Sequence, residues 1–256
     1  MPTIHPTAVI SPKSHIDSGV QVGPFSIIGE NVTLCKDCEV GSSVNIQGHT
    51  EIGARCKIFT GAVIGSLTQD LKYRGGDTFI KIGEDNTIRE YVTVNSGTAE
   101  GESTVIGKKN LLMAYVHIAH NCVIGNNTII ANAGTLAGHV EVEDFAIIGG
   151  LAGIHQFCRI GRHAIVGGCS KVTKDVVPFV MADGHPAKPF GVNKTGLKRR
   201  GFTPESIGSI EKAYRLLFRS GLNVSEALSE IEKMEETEET ACLVSFIRKA
   251  ERGIAK

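Results

Sequence analysis

The chain has 256 residues, enough for one large or two modest domains, and its 27 Lys and Arg residues balance its 27 Asp and Glu residues. A nucleic-acid-binding protein normally carries a basic excess, so this balance argues against that class. The sequence contains no run of about 18 apolar residues and begins without the charged and apolar segments of a secretory signal. We therefore expect a cytoplasmic protein with no nucleic-acid partner and no stable membrane insertion.

A six-residue repeat runs through the first two-thirds of the chain. An aliphatic residue occupies 26 of the 29 positions spaced six apart from Ile4 to Val172, and the three exceptions, Asp70, Gly76 and Glu100, leave the phase unchanged. A smaller residue follows four positions after each aliphatic one, where it faces the same side of a strand. A short fixed period predicts a solenoid whose core takes one large and one small side chain from each unit.

Three units close a triangular coil of 18 residues, so residues 18 apart stack on adjacent coils roughly 4.8 Å apart. Residues 1–177 would make about ten such coils. The period does not give the handedness of the coil, although parallel crossovers are nearly always right-handed. Four cysteines fall in the small inward column and are interpreted as core residues: Cys38, Cys56, Cys122 and Cys158.

Two polar excursions, near residues 66–81 and 97–105, interrupt the repeat without shifting its phase. Loops that leave a rigid scaffold often carry function, but tolerated surface insertions would give the same pattern. Beyond the repeat, capping residues predict three helices, at about 203–221, from 223 onward, and at about 239–253. The expected domains are a solenoid over residues 1–190 and a small helical domain over residues 191–256.

Four of the nine histidines lie within one stretch of the solenoid. The 18-residue step stacks His120, Gly138 and Gln156 on successive coils near a corner, with Asn121 and His139 beside them. A histidine can act as a general base, and a glycine amide on the next coil can stabilise an oxyanion. The residues alone leave two other interpretations open: a polar ladder that satisfies corner carbonyls, and a zinc site of the carbonic-anhydrase kind.

Several motifs along the whole chain resemble the UDP-N-acetylglucosamine O-acyltransferases, a family that catalyses the first step of lipid A synthesis. Besides the hexapeptide series, the motifs are Gln69–Tyr73 (QDLKY), His117–His120 (HIAH), Leu136–Val140 (LAGHV), Ile154–Phe157 (IHQF), Pro189–Asn193 (PFGVN) and Gly196–Phe202 (GLKRRGF). These motifs are far more specific than the hexapeptide repeat, which many acyltransferases share.

The resemblance implies a mainly β fold: a left-handed parallel β-helix with a small C-terminal α-helical domain, assembled as a homotrimer with active sites between subunits. The implied reaction moves a (3R)-3-hydroxyacyl group from acyl carrier protein to the 3-position of the sugar in UDP-GlcNAc. No metal or other cofactor is implied, because the phosphopantetheine arrives on the acyl carrier protein.

The resemblance also implies roles for individual residues. His120 would be the general base, the Gly138 amide would hold the oxyanion, and Asn121 would hold the imidazole ring. The residues matched to substrate binding are Gln69, Lys72, His117, His139, His155, Gln156, Asn193, Arg199 and Arg200. The basic run that contains Arg199 and Arg200 could bind the carrier protein and the diphosphate, or it could be a solvated helix end.

Three positions depart from the family pattern. Asn121 stands where the family commonly has Asp, Asn95-Ser96 stands where it often has His-Arg, and Thr195 stands where it often has Glu. An Asn can orient the ring but cannot stabilise an imidazolium by its charge. A weaker base suits an amine better than a hydroxyl, so we predict that the 3-amino analogue UDP-GlcNAc3N is accepted, and an assay with both acceptors is needed to find which is preferred.

Gly168 matches a position that limits acyl-chain length in the family, and a glycine leaves room for a long chain. Lys171 could close the same channel with its long side chain. We therefore expect C12 to C14 acyl groups. Two other functional classes stay open: a γ-carbonic-anhydrase-like zinc enzyme, and a non-catalytic solenoid that binds nucleotide sugars.

Overall fold

The computed structural model describes residues 1–256, and the repeat forms a parallel β-helix of short strands. In chain order the strands are β1 (Thr3–Ile4), β2 (Val9–Ile10), β3 (His15–Ile16), β4 (Gln21–Val22), β5 (Ile27–Ile28), β6 (Val32–Leu34), β7 (Glu39–Val40), β8 (Asn45–Ile46), β9 (His49–Ile52), β10 (Lys57–Ile58), β11 (Val63–Ser66), β12 (Phe79–Ile82), β13 (Thr87–Ile88), β14 (Thr93–Asn95), β15 (Ser103–Ile106), β16 (Leu111–Leu112), β17 (His117–Ile118), β18 (Val123–Ile124), β19 (Ile129–Ile130), β20 (Thr135–Leu136), β21 (Glu141–Val142), β22 (Ile147–Ile148), β23 (Gly153–Ile154), β24 (Arg159–Ile160), β25 (Ile165–Val166), β26 (Lys171–Val172), β27 (Val180–Gly184) and β28 (Ala187–Val192).

Every third strand of the β-helix joins the same parallel sheet, which gives the coil three faces. The first sheet runs β1-β4-β7 and onward to β25, the second runs β2-β5-β8 to β26, and the third runs β3-β6-β9 to β24. Uninterrupted neighbours pair residues 18 apart, as Ile118 does with Leu136. The 18-residue coil expected from the sequence is confirmed.

The two insertions both leave the coil at the corner between the second and third sheets. Ile64 pairs with Val94, 30 residues further on, and Val94 pairs with Ile118, 24 residues further on. The two excesses over 18 together use one coil's worth of residues. The structure therefore has nine coils before β27, rather than about ten, because the insertions take up the residues of the missing coil.

The aliphatic column fills the interior of the β-helix. Its members are buried from Val22 to Val172, whereas Ile4 on the first, uncovered coil is 39% exposed. Each buried side chain of this size contributes about 2 kcal/mol of gross hydrophobic stabilisation. All four inward cysteines are fully buried and unpaired, as expected for small core residues.

The β-helix ends in an antiparallel hairpin, β27–β28, that the sequence did not predict. Four helices follow: α1 (Lys194–Arg199), α2 (Pro204–Phe218), α3 (Val224–Ile231) and α4 (Glu238–Arg248). The last three begin at the predicted caps or within one residue of the predicted start, and Asn223 makes the expected capping box with Glu226. The short α1 was not predicted. None of the four is long and apolar enough to cross a membrane.

An aromatic stack joins the β-helix to the helical domain at the corner between the third and first sheets. The His163 ring stacks between Phe145 (4.8 Å between centroids) and Phe179 (5.9 Å), and Phe202 contacts it edge-on. Burial, reinforced by the nearby charges of Arg162 and Arg200, lowers the pKa of His163 to about 4. His163 is therefore a neutral ring in this stack at neutral pH.

The buried His163 makes the folded chain sensitive to acid. Its pKa is about 4 in the folded chain and about 6.5 in the unfolded chain, so only the unfolded chain binds the proton between those values. Stability should fall as pH drops through this window, by about 2 kcal/mol at pH 5 from this group. We predict that His163→Phe, which keeps the stack, removes this part of the loss, as measured by urea unfolding near pH 7.5 and pH 5. An equal loss in both proteins would contradict the prediction.

Candidate active site

The corner between the second and third sheets collects both insertions and the clustered histidines; we call it the His120 corner. His120 lies between β17 and β18, and the insertions leave the same corner after β11 and β14. Together they line a cleft of about 520 Å³. The lining residues are Gln69, Asp70, Leu71, Lys72, Asn95, His117, Ala119, His120, Ala137, Gly138 and Gln156.

His120 and Gly138 lie directly against each other on adjacent coils. A Cβ atom at Gly138 would be 2.3 Å from the His120 Cε1 and 2.4 Å from its Nε2, so only glycine leaves room for this ring. The Gly138 N–H donates no hydrogen bond within the chain, while its carbonyl accepts one from the Phe157 N–H at 3.2 Å. The juxtaposition expected from the 18-residue step is present, with a free amide beside the imidazole.

The other ring nitrogen of His120 enters a hydrogen-bonded chain of polar groups. His120 Nδ1 lies 2.9 Å from Asn121 Oδ1, and Asn121 Nδ2 donates to Glu102 Oε2 at 2.8 Å. Thr98 Oγ1 also donates to Asn121 Oδ1, at 3.1 Å. Glu102 and Thr98 belong to the second insertion, and the sequence reasoning missed both.

A second carboxylate lies on the open side of the ring. Asp70 Oδ2 is 3.8 Å from His120 Nε2, and both side chains are largely buried. The sequence placed no acidic residue near the histidines before Glu141. The repeat predicts only which coils the first insertion connects, and gives no information on the path of the loop. The only available signal was that Asp70 lies in the same motif as the predicted Gln69 and Lys72.

The neighbouring histidines are held less polar than His120. His117 Nδ1 is 2.7 Å from Thr93 Oγ1, and burial lowers the pKa of His117. The His139 ring meets His120 edge-on at 5.2 Å and stacks on Phe157 at 4.7 Å. Burial, and then the proximity of His120, lower the pKa of His139. Both rings are therefore suited to hydrogen bonding as neutral groups.

His155 does not line the cleft. It is exposed, and its Nδ1 lies 3.1 Å from the carbonyl oxygen of Gln156. Gln156 itself does line the cleft, one coil beyond Gly138. Of the histidines grouped by sequence, the structure brings His117, His120 and His139 together and leaves His155 at the margin.

The predicted residues of the C-terminal domain lie at a different corner. The exposed Arg200 lies over the Phe145 ring, 4.6 Å from its centroid, between the third and first sheets. Asn193 is buried and caps α1, since its Oδ1 accepts from the Gly196 N–H and its Nδ2 donates to the His163 carbonyl. Substrate binding by Asn193 stays a prediction, and both polar atoms of its side chain are already engaged.

The two residues assigned to chain length lie further along the second sheet. Lys171 is exposed and pairs with Gly153, which pairs in turn with Thr135 and then His117. Gly168 lies at the corner between the first and second sheets, where an added Cβ would lie 3.3 Å from the Gly150 carbonyl oxygen. No three His, Cys, Asp or Glu side chains converge in a way that could hold a metal ion.

Known proteins resemble this chain over its full length. The family model "Udp N-acetylglucosamine O-acyltransferase; Domain 2" matches residues 175–255, and the bacterial transferase hexapeptide model matches residues 103–138. Acyl-[acyl-carrier-protein]–UDP-N-acetylglucosamine O-acyltransferases of Thermodesulfovibrio yellowstonii and Thiobacillus denitrificans are 52% and 46% identical to the chain, with complete coverage of both partners.

Solved structures agree with these relatives. The UDP-N-acetylglucosamine O-acyltransferase of Moraxella catarrhalis superimposes with a TM-score of 0.95 at 43% identity and covers 99% of each chain. The Francisella novicida UDP-N-acetylglucosamine acyltransferase gives a TM-score of 0.96 at 39% identity, covering 99% of this chain and 94% of the other. The coil is left-handed, as the resemblance implied and against the general preference of parallel crossovers. The chain belongs to the acyl-[acyl-carrier-protein]–UDP-N-acetylglucosamine O-acyltransferase family.

Proposed function

We propose that the protein transfers a (3R)-3-hydroxyacyl group from acyl carrier protein to the 3-position of the sugar of UDP-GlcNAc or UDP-GlcNAc3N, the first step of lipid A biosynthesis. The observation that carries this proposal is the His120 imidazole packed against the free Gly138 amide inside a cleft. A base and an oxyanion donor in contact are the two groups that acyl transfer requires.

The proposed mechanism uses one imidazole for both proton transfers. His120 Nε2 takes the proton of the acceptor hydroxyl or amine as that group attacks the thioester carbonyl. The oxyanion of the tetrahedral intermediate accepts a hydrogen bond from the Gly138 N–H, an interaction worth about 3 kcal/mol in the transition state. Collapse of the intermediate breaks the carbon–sulfur bond, and the pantetheine sulfur leaves with the proton from His120.

The cleft walls supply groups suited to the acceptor. Gln69, His117 and Gln156 offer neutral hydrogen-bonding groups, and Lys72 offers a positive charge that makes no ion pair within the chain. Asp70 lies beside the base, where a carboxylate attracts an amine that still carries a proton. This placement supports UDP-GlcNAc3N as an acceptor, in addition to the argument from Asn121.

We propose a homotrimer with active sites between subunits. Arg200 lies at a different corner from His120, so a second subunit is needed to bring Arg199 and Arg200 to the cleft. The third corner, between the first and second sheets, exposes large apolar side chains that a neighbouring subunit could cover: Phe25, Tyr91, Tyr115 and Leu151. Because nucleotide sugars and acyl carrier protein are water-soluble substrates, we place the reaction in the cytoplasm.

The acyl chain is proposed to lie along the outer face of the second sheet. From His117 this face continues through Thr135 and Gly153 to Lys171, three coils or roughly 14 Å away. Nothing lies within 4 Å of a Cβ placed at Gly153, so the path is open there. Its length is comparable to that of an extended C12 chain, which supports Lys171 as the residue that closes it.

His120→Ala removes the only base in the proposed mechanism. We predict that kcat falls about 10²- to 10⁴-fold while the assembly and its thermal stability are unchanged. The assay is transfer from 3-hydroxyacyl carrier protein, with His15→Ala on the first coil as the matched control. Full activity of His120→Ala would contradict the proposal, and loss of activity would exclude a role limited to sugar-nucleotide binding.

The two acceptors can be compared directly. We predict that UDP-GlcNAc3N is turned over, because an amine needs less help from the base than a hydroxyl does and Asp70 favours its approach. The measurement is kcat/KM for each acceptor with one carrier-bound acyl group, with mass-spectrometric detection of amide and ester products. A large preference for UDP-GlcNAc would defeat this assignment.

Lys171→Ala tests the proposed end of the acyl path. If the lysine closes the groove, the variant should shift the preferred donor from C12–C14 to a longer acyl group, as measured with carrier proteins of graded chain length. An unchanged preference would make Lys171 a solvated surface residue.

A further inference from the structure

We propose that Glu102 is a positioning residue for the acyl-transfer reaction, acting on His120 through the side chain of Asn121. The inference rests on the proposed function, in which His120 is the general base. It assigns a role to the second insertion, which the mechanism above does not use.

The first step is the orientation of the Asn121 amide. An ionised carboxylate can only accept hydrogen bonds, so the atom of Asn121 that faces Glu102 Oε2 at 2.8 Å must be the NH2 nitrogen. The amide oxygen therefore faces the opposite way, toward His120 Nδ1 at 2.9 Å. Without Glu102, the amide could turn over and present its NH2 group to the ring.

The second step is the tautomer of His120. An amide oxygen only accepts, so Nδ1 must carry the proton that forms this bond. In the neutral ring the lone pair is then on Nε2, the nitrogen that faces Gly138 and the cleft. The orientation imposed by Glu102 thus leaves the imidazole in the only neutral tautomer that can accept a proton from the acceptor.

The third step is the charge of Glu102. Its Oε2 accepts hydrogen bonds from Asn121 Nδ2, from the Ala99 N–H at 2.9 Å and from the Thr98 N–H at 3.3 Å. These bonds, with that of Asn121 the largest contribution, lower the pKa of Glu102 and keep it ionised at neutral pH. Asn121 has no charge of its own, so Glu102 provides the negative charge behind the ring that stabilises an imidazolium.

The loop is built to hold this carboxylate in place. A Cβ at Gly97 would lie 2.6 Å from the Glu102 carbonyl carbon and 2.8 Å from its Cβ, so a glycine is needed for the loop to close. The Glu102 carbonyl also accepts from the Phe79 N–H at 2.9 Å, which ties the loop to β12. Thr104 Oγ1 accepts from the Asn121 N–H at 2.9 Å and fixes the backbone between the two residues.

The test is the pH dependence of transfer by Glu102→Gln. The charged and titratable groups that face His120 are Asp70 from the first insertion, His139 from the next coil and, through Asn121, Glu102. We expect kcat to fall about 10- to 100-fold, less than the roughly 10⁴-fold loss seen when a carboxylate bonded directly to a catalytic histidine is replaced. KM for both substrates should stay within about twofold of the wild-type value. The acidic limb of the pH–rate profile should move to lower pH, because a neutral partner stabilises the imidazolium less.

A matched control and a rescue separate this role from a structural one. Glu100→Gln alters a carboxylate of the same loop that binds only the Asp77 N–H, and it should behave as wild type. Adding Asn121→Asp to Glu102→Gln places a carboxylate directly on His120 Nδ1 and should restore the rate and the acidic limb. Asn121→Asp alone would set two carboxylates against each other and should be slower than the double variant.

Each outcome decides between the alternatives. If Glu102→Gln and Glu100→Gln have the same kinetics while His120→Ala is inactive, the role of Glu102 is wrong and the proposed function stands. If Glu102→Gln is slow but Asn121→Asp does not rescue it, Glu102 only supports the loop and the inference is also wrong. If His120→Ala is active, the proposed function fails whatever Glu102 does.

Discussion

The stacking of 18-residue coils is the constraint on which the site depends. Backbone hydrogen bonds link each corner to the next, as from the His139 N–H to the His120 carbonyl at 3.0 Å and from the Phe157 N–H to the Gly138 carbonyl at 3.2 Å. These bonds hold successive corners about 4.8 Å apart, so a residue's neighbour is decided by sequence separation. A base and an amide 18 residues apart are brought into contact without a dedicated loop or metal.

The same constraint explains how the β-helix tolerates its insertions. Each insertion adds a whole number of six-residue units, so the aliphatic column continues in phase and the interior stays filled. Both emerge at the His120 corner, where they add polar groups that the coil cannot supply from its inward columns. The first contributes Asp70 and one wall of the cleft, and the second contributes the network around Asn121.

The parts of the molecule that follow the repeat could be predicted from sequence, and those that depart from it could not. The pairing of His120 with Gly138 followed from an 18-residue step, and the caps at Thr203 and Asn223 followed from local chemistry. Asp70 and Glu102 were missed because a loop of irregular backbone has no period from which to calculate a position. Asn121 was interpreted as leaving the base without a negative charge, but the structure places a carboxylate behind it.

The central claim is that contact between the imidazole of His120 and the backbone of Gly138 makes the catalytic site. Gly138 is not in the left-handed region of backbone conformation, so alanine is compatible with its backbone but not with the adjacent ring. The most direct measurement is therefore kcat of Gly138→Ala, with Gly208→Ala on α2, where an added Cβ meets nothing within 4 Å, as the control. The account predicts a loss of about 100-fold or more at unchanged thermal stability, since the ring must move away from the amide. A rate within about twofold of wild type would contradict it.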